Sequence, residues 1–339
     1  MQAIKLFLIF LLFGYNFFDF INMDNFQHLI GQTQSTTLLK QIIIKNKIAP
    51  AYLFSGPTGV GRRLAARSFC KSIFSISKVL QENQTTLEHR ILNGNHPDLY
   101  WMEPTYQYKG KLFTIRQAQE NGLKSNSSPQ IRIDQIRNIT NFLSRPPLES
   151  IRSVVIIESA EMMTEAASNG LLKTLEEAKL ATIILIVSNQ NLLLPTLVSR
   201  CQIIPFYNLS EKDLKQVLRK SDYENIINEE KIIKLSQGSP GKAIGYWNQL
   251  QLIPSEITDT LEKIPLSYLN SLELSKKITV ELNNSTQIFL IDYMQHFYWV
   301  KFRNKNLLEL LELSKSYLLR YLNSRLVWDS LLIKISNIL

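Results

Sequence analysis

Apolar positions along this chain follow two regimes. In the first two hundred residues, strand-length apolar runs alternate with stretches of helical spacing. Tyr52–Ser55, "SVVII" at 153–157 and "TIILIVS" at 182–188 are short runs, the last two rich in β-branched residues. Such runs mark strands covered on both faces. "RRLAARSFCKSIF" places Leu64, Ala65, Phe69 and Ile73 at helical spacing and predicts a helix buried along that stripe. Asp134 opens a second helix, "DQIRNITNFLSR", which Pro146-Pro147 stops. "TEAASNGLLKTLEEA" reads as a third, and "QIIPF" as a last strand. Residues 77–130 are polar and irregular, with one strand-like island in "HPDLYWMEP". Strands alternating with helices predict an α/β fold with a parallel, doubly wound sheet.

Beyond Phe206 the strand signal stops. Ser210 and Asp213 have the spacing of a capping box, Gly238 ends a helix, and Pro240 opens the next. Residues 253–339 read as helical throughout. The expected organisation is an apolar extension over 1–22, an α/β domain over 23–206, a small helical domain over 207–250 and an all-α domain over 251–339. In the extension, Leu6–Phe13 is apolar without a break and no small-residue cleavage site follows. It falls short of the about 20 residues a membrane span needs. It reads as an upstream extension with Met23 as the working start, ahead of an apolar tail or a membrane or signal role.

At 339 residues, 45% apolar and 20% charged, the chain has material for two or three cores, which excludes disordered and low-complexity classes. Net charge is +9. Residues 253–339 hold ten Lys+Arg and nine Asp+Glu, so nearly all of the excess lies ahead of them. Any charge-driven contact with an acidic partner is expected there. Cys70 and Cys201 with four scattered histidines offer no zinc spacing and no disulfide framework, as befits a reducing cytoplasm.

The chemistry centres on "GPTGVG", Gly56, Gly59 and Gly61, between the first strand and its helix. A working phosphate loop continues with Lys and then Ser/Thr, for the phosphates and the magnesium ion. Here Arg62 and Arg63 stand in those places. Arg62 keeps a charge of different shape, and Arg63 has no oxygen for a metal. A strand-to-helix turn, weak anion or nucleotide binding, and hydrolysis are the three readings, in falling order. The acidic pair expected at the end of a neighbouring strand is Glu158 and Ser159, and Ser159 cannot orient a water as a carboxylate does. Glu161 falls on the following turn and is not assigned as a base. Arg200, before the last strand, reads in isolation as a surface ion pair.

"HLIGQ", "IAPAYLFSGPTGVGR", "HPDL", "SNGLLKTLEE", "SNQNLLLPTLVSRCQ" and "GSPGKA" occur in one order. Together they resemble the delta-prime family of the bacterial DNA polymerase III clamp loader, in the AAA+ group with tau/gamma and replication factor C. The resemblance covers residues 24–250. It implies an AAA+ sheet domain, a helical lid and an all-α collar, in a ring with tau/gamma and delta subunits that loads a sliding clamp on primed DNA. Such a chain requires no cofactor of its own, binds ATP weakly if at all, and has no stable membrane association. Its Ser199-Arg200-Cys201 motif supplies Arg200 as a finger to ATP on a neighbouring subunit. The sensor positions fall at Ser188–Asn189 and at Lys242, where relatives more often have Arg. Only Cys70 remains where many relatives carry a four-cysteine zinc module. Gly170 and Ala178 stand where relatives usually have Ala and Pro. The competing expectations are an active tau/gamma-type motor and a DNA-binding module, the latter through Arg132, Arg137 and Arg145.

Overall fold

The computed structural model of the chain describes residues 24–76, 84–121, 128–177, 180–263 and 265–338. The apolar run of residues 1–22, Met23 and Ala178 lie outside them. Contacts group the described residues into two compact units that divide between Val217 and Leu218.

In chain order the first unit runs α1 (Thr33–Ile44), β1 (Ala51–Ser55), α2 (Arg62–Ser75), α3 (Gln84–Leu92), β2 (Leu99–Met102), β3 (Thr105–Tyr108) and β4 (Lys111–Thr114). It continues with α4 (Ile115–Glu120), α5 (Ile133–Leu143), β5 (Ser153–Ile157), α6 (Glu165–Glu177), β6 (Ala181–Val187), α7 (Pro195–Val198) and β7 (Gln202–Pro205). Five strands form one parallel sheet in the order β2-β5-β6-β1-β7. β1 is internal, with Leu53 level with Leu185 on one side and Ile203 on the other.

Alternation along β1 sends side chains to two separate cores. Leu53 joins Val155, Leu185, Ile136 of α5 and Leu171 of α6. Tyr52 and Phe54 face the other way, with ring centroids 5.1 and 6.4 Å from Phe69 of α2, and Phe54 lies 5.4 Å from Phe206. Because helices cover both faces, every residue of β5 and β6 is buried, as the unbroken apolar runs require.

Two expectations change. Leu64 is 49% exposed, while Ala65, Ala66, Phe69, Cys70 and Ile73 are buried. At 100° per residue Leu64 sits about 170° round the helix from the centre of that stripe. Residues 84–121 are also more regular than their polarity indicates. They hold α3, the antiparallel β3–β4 hairpin and α4. The hairpin turn is Lys109-Gly110, both at positive φ (47° and 79°). Lys-Gly is a weaker turn signal than Asn-Gly or Asp-Gly.

The division between units falls inside α8 (Glu211–Lys220). Its start is capped as expected, Asp213 N–H donating to Ser210 Oγ at 3.1 Å. Then come α9 (Glu224–Ile227), α10 (Glu230–Ser236), α11 (Pro240–Gln251), α12 (Ser255–Glu262), α13 (Tyr268–Glu281), α14 (Asn284–Phe302), α15 (Lys305–Leu319) and α16 (Ser324–Ile338). Gly238 lies in the left-handed region after α10, and Ser239 caps α11 by accepting from Lys242 N–H. α13 packs along α16, and α14 against α15. Trp328 is fully buried and donates to Gln287 Oε1 at 3.0 Å. The helical reading of 253–339 therefore holds. Among the described residues no helix is long and apolar enough to cross a membrane.

Candidate functional site

The glycine loop leaves the end of β1 in the middle of the sheet. At Gly56 a Cβ would stand 2.2 Å from the Phe206 carbonyl oxygen, so no other residue fits without moving β7. Gly61 takes φ 103° as it starts α2. Gln32, buried, ties the loop to the chain after β7. Its amide nitrogen donates to the carbonyls of Val60 (3.3 Å) and Tyr207 (2.6 Å), and its oxygen accepts from Tyr207 N–H at 3.2 Å. This makes "HLIGQ" part of the loop's support.

Arginine side chains and carboxylates fill the space where the loop meets the strand ends. Arg62 is 8% exposed at the first turn of α2. Its Nη1 is buried with no hydrogen-bond partner among the described residues. Burial lowers its pKa, while Glu161 and Glu158 work the other way. Arg63 is half exposed and reaches both Glu103 Oε1 (2.9 Å) and Glu158 Oε1 (2.8 Å). The guanidinium carbons of Arg63 and Arg67 lie 5.2 and 5.1 Å from the centre of the Trp101 ring. Burial pushes the Glu158 carboxyl above its usual range, and Arg63 and Arg67 oppose that while Glu103 adds to it. Ser159 follows Glu158 in the left-handed region at φ 47°. Glu161 accepts from both the N–H (3.1 Å) and the hydroxyl (2.7 Å) of Ser188 at the end of β6.

The structure thus brings together Gly56, Gly59, Gly61, Arg62, Glu158 and Ser188. Asn189 turns away, its side chain accepting from Asn191 N–H in the next turn at 3.0 Å. Lys242 belongs to the second unit. There it lines a cavity of about 690 Å³ with Tyr246, Asp292, His296, Trp299 and Lys315. Arg200 lies on the surface after α7. It donates to Glu176 Oε1 of α6 from Nη2 (2.6 Å) and Nε (3.1 Å), and to the Thr196 carbonyl at 3.1 Å. Ser199 closes α7 with its hydroxyl on the Thr196 carbonyl. Burial pushes the Cys201 thiol up to about 11, so it stays protonated and is no nucleophile. Among the described residues no group of His, Cys, Asp and Glu could hold a metal ion.

The family model "DNA polymerase III, delta subunit" matches residues 31–210, more than half of the chain. "Cyanobacterial DNA polymerase III delta prime, C-terminal domain" matches 212–335. The chain belongs to the DNA polymerase III delta-prime family. Resemblance therefore extends beyond residue 250, through helices whose motifs are too plain to be read directly. The DNA polymerase III subunit delta' of Bacillus subtilis is 33% identical over 193 residues, 56% of this chain and 52% of that one. The delta' subunit of Pseudomonas aeruginosa is 31% identical over 200 residues, 57% and 54% of the two chains. The replication factor C small subunit of Methanococcus vannielii is 25% identical over 268 residues, 77% and 72% of the two. The match spans about half the length of these delta' relatives.

Four contributors to the delta-prime site went unassigned from sequence: Gln32, Arg67, Trp101 and Glu103. Gln32 lay inside a quoted motif. The others come from a helix flank and a strand end, and no local spacing links them. Glu161, set aside as lying on a turn, is a member of the site through Ser188.

Proposed function

We propose that this chain is the non-hydrolysing delta-prime subunit of a clamp loader. It would assemble with tau/gamma and delta subunits in the cytoplasm and support ATP-dependent loading of a sliding clamp on primed DNA. Arg63 carries the reading. A magnesium nucleotide needs a hydroxyl at that position and a free carboxylate opposite. Instead a guanidinium spans Glu103 and Glu158, and Ser159 replaces the second acid. The residues present do not fit a magnesium nucleotide, and no hydrolytic step is assigned to this site. The buried, unpartnered Nη1 of Arg62 at the start of α2 still favours an anion, so weak nucleotide binding without turnover belongs to the reading.

Arg200 is the residue through which the subunit would act on ATP held by a neighbour, with Ser199 and Cys201 framing it. It is exposed, held by the surface carboxylate of Glu176 and by the Thr196 carbonyl, and an exposed ion pair of this kind is worth about 0–1 kcal/mol. Moving it to a phosphoryl group is therefore inexpensive. We further propose a lid over 207–250 and a collar over 251–339. Leu269 (67% exposed), Val280 (76%) and Leu326 (67%) on α13 and α16 are apolar positions suited to sister helices. The test is ATP turnover. The purified chain should show none above background, and Arg200→Ala should depress turnover in the reconstituted assembly without dissociating it. Steady turnover by the isolated chain, or unchanged turnover with Arg200→Ala, refutes the assignment.

A further inference from the structure

The β3–β4 hairpin takes no part in the five-stranded sheet or in the glycine-loop site. An isolated two-stranded ribbon is marginal in water, so what holds this one matters. α4 packs against both strands, and the root is tied to the rest of the unit through Thr105. Thr105 exchanges both backbone hydrogen bonds with Gln130, at 2.9 and 3.0 Å. Arg132 Nη1 donates to the Thr105 carbonyl at 3.0 Å, and the Thr105 hydroxyl bonds Gln135 Oε1 at 3.2 Å. Beyond this anchor the ribbon is in solvent: Gln107 through Leu112 are all exposed.

The pairing register sorts its side chains. Tyr106 is level with Phe113 and Tyr108 with Lys111, so these four share one face. Lys109 at the turn lays its ammonium 5.4 Å from the centre of the Tyr108 ring. Between Pro104 and Asn121 the only acidic residue is Glu120, and it is paired with Arg116 at 2.8 Å. Lys109 and Lys111 therefore have no carboxylate among the described residues. The exposed end of the ribbon carries Tyr108 beside two ammonium groups that have no carboxylate partner among the described residues.

We propose that this hairpin is a single-stranded nucleic-acid contact, with a base stacking on Tyr108 and the flanking phosphates meeting Lys109 and Lys111. Magnitudes favour the exchange. An exposed lysine over a ring contributes about 0.5–1 kcal/mol, whereas a base on an aromatic contributes about 1–3 kcal/mol. The base displaces the ammonium, which then faces phosphate. A protein interface would accept the tyrosine but is depleted in lysine, and this face sets two lysines around it. Duplex DNA offers phosphates but keeps its base faces stacked.

The test titrates a labelled oligothymidylate with the full-length chain at several salt concentrations. Tyr108 is exposed, so substitutions there should leave the melting temperature unchanged. Tyr108→Ala should weaken binding roughly 5- to 150-fold, and Tyr108→Phe should retain it. Lys109→Ala with Lys111→Ala should flatten the dependence of log affinity on log salt by up to about 1.4. Any of four results overturns the proposal. The wild-type chain binds no oligothymidylate at low salt. Tyr108→Ala binds like wild type. A duplex of equal length displaces the single strand. The hairpin variants keep the oligonucleotide and lose a sister subunit instead.

Discussion

Arg63 is the most informative residue to remove, because its carboxylate partners would stay behind. Glu158 is 16% exposed at the side chain and Arg63 is 48% exposed. Breaking a fully buried pair costs about 3–5 kcal/mol and an exposed one at most about 1. Solvent screening at the arginine end and the nearby Arg67 place Arg63→Ala between these, at about 1–2 kcal/mol. For a unit of this size that lowers the melting temperature by about 2–8 °C. The sign of the pH dependence follows from Glu158. Its carboxyl already sits above the usual range through burial, and loss of Arg63 raises it further. A carboxyl whose folded pKa exceeds its unfolded value costs stability at higher pH and is relieved as pH falls through the folded value. The deficit of Arg63→Ala should thus be largest at neutral pH and shrink on acidification. Thermal unfolding followed by circular dichroism across that range measures it. Adding Glu158→Gln to Arg63→Ala should abolish the pH-dependent part. A deficit independent of pH, or one that Glu158→Gln leaves intact, would show that Arg63 is not balancing a buried carboxylate.

Asp98 accepts from the N–H groups of Leu148, Glu149 and Ser150 and from the Ser150 hydroxyl, at 2.6–2.8 Å. Asp98→Ala should cost about 3 kcal/mol in urea unfolding. Burial pushes this carboxyl up, but the hydrogen bonds outweigh it and hold it below its ordinary value. Its stabilisation is present above the unfolded value of about 3.9 and fades as pH falls through the lower folded value, so the variant should lose less stability there than wild type. Gly56→Ala should force β7 away from β1, read as faster hydrogen exchange at Phe206 N–H, which bonds the Ser55 carbonyl at 2.7 Å. Glu176→Ala removes the ion pair of Arg200 and leaves its bond to the Thr196 carbonyl. It should change the stability of the isolated chain by less than about 1 kcal/mol and leave turnover of the assembly at or above wild type, unlike Arg200→Ala.

The sheet was legible because its strands are buried on both faces: the runs at 153–157 and 182–188 have no other use for so many β-branched residues. The glycine loop was legible because its residues are contiguous. What escaped was organised across the chain or against local polarity. Trp101, Glu103 and Arg67 meet only after β2 is laid beside β5 and α2 is docked. The β3–β4 hairpin hides in a polar stretch because its outer half, Gln107 through Leu112, is exposed. Leu64 misled because four apolar positions at helical spacing admit more than one stripe. Arg200 needed the family: its ion pair with Glu176 is the surface contact that its bare context indicates.

Gly56 has a meaning for how such a subunit changes over generations. Its missing Cβ makes room for the Phe206 backbone, and Gln32 clasps the loop to the chain after β7. Both ties concern the seating of the last strand, and neither involves phosphate. A lineage that abandoned hydrolysis would still be selected to keep Gly56, while positions 62, 63 and 159 would be released from their duties toward nucleotide. The loop can therefore outlast the chemistry that shaped it, and a glycine signature records ancestry more faithfully than it records present use of nucleotide.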